Sequence, residues 1–209
     1  LYGAYHFAVQ AKEAGLQAIV GLELDFRLAD ESLLKVKLLS LDTQGYRNLL
    51  KLSTLKMSDG LDLTDLPNYL NGVALIIPYF EGLDSLSLPF DYYIGVGLDS
   101  PERAYKKPIL PLHTVRYYEE ADRQTLQVLH AIRDNLPLRD VQPVPAGQYL
   151  RSCQEMQEAF EERFPEALKN LEALLAPISY HFDHQLKLPR FNRDKEAVLE
   201  LRELAEGGL

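Results

Sequence analysis

Apolar and polar positions alternate along the chain in two distinct periods, and the order of those periods predicts its elements. In "AYHFAVQAKEAG", Ala4, Phe7, Ala8, Ala11 and Ala14 recur at helical intervals and close at Gly15, which predicts a helix with a small-residue packing face. "LQAIVGLELDF" then reads as a strand and "LLKVKLLSL" as a second, with charge on one face. "TQGYRNLLKLSTL" resumes the helical period through Tyr46, Leu49 and Leu50 toward Ser53, so this part of the chain runs strand, strand, helix. Three short uninterrupted apolar runs follow, "GVALIIP", "YYIGVGL" and "ILPLHTV", each bounded by Gly, Pro or Asp. Such runs suit a parallel sheet buried on both faces. Ala121 to Asn135 reads as one helix with Leu126, Leu129 and Ile132 directed inward, and the remainder is helical apart from breaks at proline. "VQPVPAGQY" reads as an internal linker.

Composition narrows the class. A chain of 209 residues supports one sizeable core, and 46% apolar against 25% charged residues excludes disorder. The balance of 22 basic and 31 acidic residues gives a formal charge of −9, which repels a polyphosphate and argues against a DNA-gripping surface. Cys153 is the sole cysteine and forms no internal disulfide, and no apolar run approaches the roughly 18 residues of a membrane span. A cytoplasmic location without membrane partners is expected. The chain starts at Leu1 and stops after a Gly-Gly helix stop, so it reads as a piece of a longer polypeptide.

Four segments carry a family resemblance. "LYGAYHFAVQAKEAGLQAIVGLEL" has a helix, an Ala-Gly turn and a strand ending in Gly-x-Glu, and "KLLSLDTQGYRNLLKLST" has a strand followed by a "GYxNLxxLS" helix. "YYEEADRQTLQVLHAIRDN" and "FPEALKNLEALLAPISYHFDHQLKLPRFN" supply a strand exit and a "PEALxN … LPxF" passage. In this order they resemble the amino-terminal PHP (polymerase and histidinol phosphatase) region of bacterial DNA polymerase III alpha subunits, of the short Gram-positive type. The resemblance implies an α/β fold, a distorted PHP-type barrel lacking its first strand or strands. It also implies a division into a barrel portion (1–140), a helical completion (141–191) and the start of a connection to the polymerase palm (192–209). The parent would be a magnesium-dependent DNA-directed DNA polymerase, a nucleotidyltransferase of DNA replication whose catalytic carboxylates lie outside this chain. Its implied partners are the palm and thumb of the same chain, DNA, replisome subunits and a proofreading exonuclease. No cofactor is expected in the fragment itself.

Active members of the family hold divalent metals at the carboxyl ends of the strands with His, Asp, Glu and Cys, which lower the pKa of a bridging water. Its first two ligand motifs would precede Leu1. Carried over residue by residue, the Gly-x-Glu signature leaves Glu23 as the retained position. The next histidine position falls at Tyr69, and the cysteine at the end of the following strand at Tyr79. The final Asp-x-His becomes Thr114, Val115 and Arg116, followed by the family's tyrosine at Tyr117. A threonine hydroxyl is a poor ligand, and an arginine, always cationic, is none. With four of five visible positions departing, a degenerate metal site without catalytic residues is expected, and Arg116 becomes the expected ion-pair partner of Glu23.

Other residues are read beside their plainer alternatives. His113 is either a substitute ligand or a hydrogen-bonded structural histidine, and the apolar strand favours the latter. His181 and His184, with Asp183, have a weak zinc-like spacing and read as exposed linker residues. Cys153 lacks a neighbouring base and reads as an ordinary helix residue. In "QEMQEAFEERFPEALKN" a solvated acidic face covers a core stripe of Met156, Phe160 and Phe164. Tyr92, Tyr93 and Tyr105 near Arg103, Lys106 and Lys107 combine aromatic and basic groups as a single-strand binder does, against the overall negative charge. Three functional readings follow: a structural region of a polymerase; an active metal-dependent phosphoesterase or 3'-5' proofreading exonuclease completed by residues before Leu1; and a docking module for a separate exonuclease.

Overall fold

The computed structural model describes residues 3–28, 30–58, 60–182 and 196–208. Strand β1 (Gly21–Arg27) and strand β2 (Leu33–Ser40) form an antiparallel hairpin in register from Gly21 opposite Leu39 to Arg27 opposite Leu33. Strand β3 (Val73–Pro78) runs antiparallel to β2, whereas β4 (Tyr93–Val96) and β5 (Ile109–Pro111) add in parallel, so spatial order follows chain order. The three apolar runs thus form the expected parallel portion. Among the described residues the sheet is open and mixed, with five strands, rather than a closed barrel.

The alternation in β1 and β2 sorts side chains to two faces. Leu24, Phe26, Leu34, Val36 and Leu38 join Leu75, Ile77, Ile94 and Val96 in the main core. Leu49 and Leu52 of helix α2 (Thr43–Met57) pack onto them, together with Leu66, Phe160 and Phe164. Each fully buried leucine in this layer contributes about 1.5–3 kcal/mol. On the opposite face Ala74, Ile76 and Leu110 meet Leu174, so β3 is covered on both sides, as a run without polar interruption requires.

Local chemistry fixes where α2 begins. Asp42 is its N-cap and accepts the Gly45 amide at 2.7 Å, while Asn48 donates to the Asn71 carbonyl at 2.8 Å. Gly45 and Gly72 touch here. A methyl on Gly45 would lie 1.8 Å from the Gly72 carbonyl oxygen, so the approach of helix to sheet needs glycine.

Helix α1 (Ala4–Glu13) packs through small residues as its pattern predicts, with Ala8 and Ala11 beside Ala18, Tyr180 and Phe182. Phe7 is not on that face and is 54% exposed. The segment 178–182 is strapped to the sheet through the Tyr180 hydroxyl, which accepts the Val20 amide at 3.1 Å and donates to the Ser40 carbonyl at 2.8 Å.

Helix α3 (Arg123–Asp134) follows a 3-10 turn over Glu120–Asp122. Its expected inward stripe is not inward: Leu126 is half-buried, but Leu129 is 56% and Ile132 71% exposed. Ala131 is the one buried residue of this helix. Helix α4 (Cys153–Arg163) opens with a capping box in which the Ser152 hydroxyl accepts the Glu155 amide, and Pro165 starts helix α5 (Pro165–Leu175). Met156, Phe160 and Phe164 face the core as their stripe predicts. Helix α5 lies along β5, where the Asn170 amide group donates to the Ile109 carbonyl at 3.0 Å and so covers that edge of the sheet. Helix α6 (Ala197–Gly207) is the last described element. No helix among the described residues is long and apolar enough to cross a membrane.

Candidate functional site

The three parallel strands end together at Pro78, Val96 and Pro111, and beyond them lies a cavity of about 380 Å³ lined by Tyr79, Gly97, Asp99, His113, Thr114 and Arg151, among others. The carboxyl ends of parallel strands are where open α/β sheets place their ligands, because the loops there diverge and leave a crevice. Backbone bonds extend the ladder into the rim, from the Tyr79 amide to the Gly95 carbonyl and from the Leu112 amide to the Val96 carbonyl, both 2.8 Å. Strand β5 stops at Pro111, so His113 to Arg116 sit on the loop past the strand rather than on it.

That loop is clamped by the segment read from sequence as a linker. Arg116 donates its backbone amide to the Gln148 carbonyl at 2.8 Å, and Leu150 donates to the Tyr117 carbonyl at 3.1 Å. The buried Tyr117 hydroxyl accepts the Gln148 amide at 3.0 Å and lies 2.9 Å from the Pro145 carbonyl. With Val141 and Val144 also buried, residues 141–149 are docked against the fold, not extended from it. The His113 Nε2 sits 2.9 Å from the Tyr149 carbonyl. A carbonyl only accepts, so this nitrogen carries the proton and His113 acts as a hydrogen-bonded tie.

Of the positions that the family resemblance marks as metal ligands, Tyr79 and Thr114 share the strand-end cavity, whereas Glu23, Tyr69 and Arg116 are not among its lining residues. Glu23 lies in β1 directly opposite Lys37 of β2, and Lys37 Nζ is its hydrogen-bonded ion-pair partner. That hydrogen bond is the leading cause holding the Glu23 carboxyl below its ordinary value; burial opposes it, and the charges of Lys37, Lys35 and, last, Arg116 add to the lowering. The direct Glu23–Arg116 pair expected from sequence is therefore corrected: the antiparallel register presents Lys37 first, and Arg116 acts only through space. The exposed Arg116 side chain borders a separate groove with His130, Arg133, Asp134 and Asp140.

Tyr79 lies at the cavity, edge-on to Tyr105 with ring centroids 5.6 Å apart. The Arg103 guanidinium is 5.2 Å from both ring centres and donates to Asp84 at 2.5 Å. Tyr69 instead packs against the main core at the end of the 3-10 turn Leu63–Tyr69. Of the other residues singled out as a base-stacking surface, Lys107 lies over Tyr92 and pairs with Asp91 at 2.8 Å, Lys106 donates to the Asp84 carbonyl at 3.3 Å, and Tyr93 packs beside Ala74, Ile76 and Leu110.

Among the described residues no three or more His, Cys, Asp or Glu side chains come together in a geometry that holds a metal ion. His181 is exposed, and His184 and Asp183 lie outside the described residues. Cys153 is exposed at the first turn of α4. Two features of the cavity escaped sequence reasoning, Gln148 Oε1 and Arg151 Nε, both buried without a hydrogen-bond partner on the loop that closes it. Nothing in the run "AGQYLRS" distinguishes them before the fold brings that loop across the strand ends.

An α/β sheet with a crevice at the carboxyl ends of its parallel strands defines the class of protein, and the PHP domain profile matches residues 1–138, so the chain belongs to the PHP domain family. Over its whole length the chain is 46% identical to the DNA polymerase III subunit alpha of Streptococcus pyogenes serotype M3. It is 34% identical over 90 residues, 40% of the chain and 8% of the relative, to the DNA polymerase III subunit alpha of Rickettsia felis. The chain spans about a fifth (20%) of the length of the streptococcal relative.

Proposed function

We propose that this chain is the PHP region of a replicative DNA polymerase alpha subunit and serves that enzyme as architecture, not as a metal-dependent hydrolase. The observation that carries the reading is the environment of Glu23. The one retained ligand position has its carboxylate engaged by Lys37, and a divalent cation approaching it meets that ammonium and the more distant charge of Arg116. The other positions point the same way. Tyr79 meets Tyr105 edge-on beside Arg103, Tyr69 packs against the core, and Thr114 and Arg116 supply no anionic donor. These residues do not fit a metal cluster.

In this reading the longer polypeptide extends a primer with deoxynucleoside triphosphates and magnesium, using carboxylates outside residues 1–209. The PHP region packs against the palm and thumb of that chain, and DNA and replisome subunits are met through them. The test uses the full-length protein: metal analysis, together with primer extension and excision on matched and mispaired primers. Extension without stoichiometric zinc or manganese and without mispair excision is expected. Stoichiometric metal with mispair excision that Glu23→Ala abolishes would overturn the proposal in favour of a proofreading hydrolase.

A further inference from the structure

Helices α4 and α5 pack against each other across the Phe164–Pro165 joint and leave a groove of about 660 Å³ between them. Its floor is apolar: Phe160 is buried, and Met156, Leu168 and Leu171 are half-buried, so side chains that serve the core also present an edge to the groove. Its walls carry exposed charge, Glu161 on α4 and Glu172 with Lys169 on α5. The imbalance extends over both helices, where Glu155, Glu158, Glu161, Glu162, Glu166 and Glu172 stand against Arg163 and Lys169, so four of the chain's nine net negative charges fall within residues 153–175. Arg163 is already committed to Glu102 at 2.7 Å. Glu161 accepts only the neutral amide of Gln157 at 3.2 Å, and among the described residues neither Glu161 nor Glu172 has an ion-pair partner.

We infer that this groove docks a basic amphipathic helix of a second protein. An apolar floor between two helices takes the apolar face of a third, whose side chains at successive turns enter the groove. The walls then set the sign of its flanks: lysines or arginines beside the apolar face meet Glu161 and Glu172, whereas an acidic or uncharged helix leaves those carboxylates desolvated or repelled. Nucleic acid is turned away by the same carboxylates. A second copy brings its own charge of −9 to the contact, which opposes self-association. The inference stands on the helix pair alone and is independent of the role assigned to Glu23.

The test mixes the full-length protein with a fluorescein-labelled amphipathic peptide that has leucine on one face and lysine on both flanks, and reads binding by anisotropy. Cys153 lines the groove and is exposed, so alkylation of its thiol, read by mass spectrometry on the same samples, reports whether the peptide sits there. Saturable binding that protects Cys153 is expected, about tenfold weaker in the Glu161→Lys, Glu172→Lys double variant. The same peptide with glutamate in place of lysine is expected not to bind, and this control leaves the protein itself unchanged. Absence of saturable binding, equal binding of the two peptides, or binding that leaves Cys153 as reactive as before overturns the inference. A Cys153 thiol that resists alkylation in the free monomer overturns it in favour of a groove covered by its own polypeptide, and one that resists only where light scattering shows dimers, in favour of a second copy.

Discussion

Glu23 and Lys37 face each other across the β1–β2 hairpin, and their ion pair engages the carboxylate that the family resemblance marks as a ligand position. The pair sits at the surface, with the Glu23 side chain 50% exposed, so its contribution to stability is limited to about 0.5 kcal/mol or less. Because the folded-state pKa of Glu23 is lowered from 4.5, that contribution is fully present above about pH 4.5 and is lost as pH falls through the lower folded value. Lys37→Met is expected to return the Glu23 titration toward its ordinary position and to flatten this part of the stability profile. An NMR titration of the Glu23 carboxyl in both proteins reads it directly, and an unchanged midpoint would sink the assignment.

His113 is expected to behave as a tie between the strand exit and the 145–150 loop, not as a ligand. His113→Ala removes the bond to the Tyr149 carbonyl and is expected to cost about 0.5–1.5 kcal/mol. His113→Gln, whose amide can still donate, is expected to recover part of that loss in urea unfolding. A loss of bound metal with no change in stability would identify a ligand instead.

Tyr180 carries a larger share of the stability. Its hydroxyl satisfies the Val20 amide and the Ser40 carbonyl and lies 2.9 Å from the fully buried Ser40 hydroxyl. Tyr180→Phe keeps the ring and strands these groups, with an expected cost of about 1–3 kcal/mol. Thermal unfolding checks it; a Tm equal to that of the parent would mean that the strap is not formed in solution.

Gly45→Ala is expected to be among the most damaging single-methyl changes in the chain. The added carbon would collide with the backbone of Gly72, which cannot rotate away, so the start of α2 must lift from β3 at a cost of about 1–3 kcal/mol or more. Alanine at Gly60, where the nearest atom to an added carbon is 3.6 Å away, is the matched control. Equal urea midpoints for the two variants would contradict the packing described.

Where a segment's environment is set by its own neighbours, its structure was legible in the sequence. The alternation of "LLKVKLLS" and the unbroken apolar run "VALIIP" become β2 and β3, with the burial each period implies. Asp42 and Ser152 cap helices where such residues should. Three readings failed for one physical reason, that periodicity reports a face but not what lies against it. The α3 stripe has the spacing of a core helix and points outward; Phe7 shares a helix with packed alanines and lies off their face; and the proline-marked 141–149 segment docks through backbone hydrogen bonds that no side-chain pattern records. At the site, the residue types at Tyr79, Thr114 and Arg116 were legible in the sequence itself. The partner of Glu23 was not, because cross-strand register decides it, and register places Lys37 opposite.

The most direct test of the account is hydrolysis of bis(p-nitrophenyl) phosphate by the full-length protein with manganese or zinc added, measured beside Glu23→Ala. No metal-dependent turnover above the protein-free rate is expected in either protein. Turnover in the parent that disappears in Glu23→Ala would contradict it.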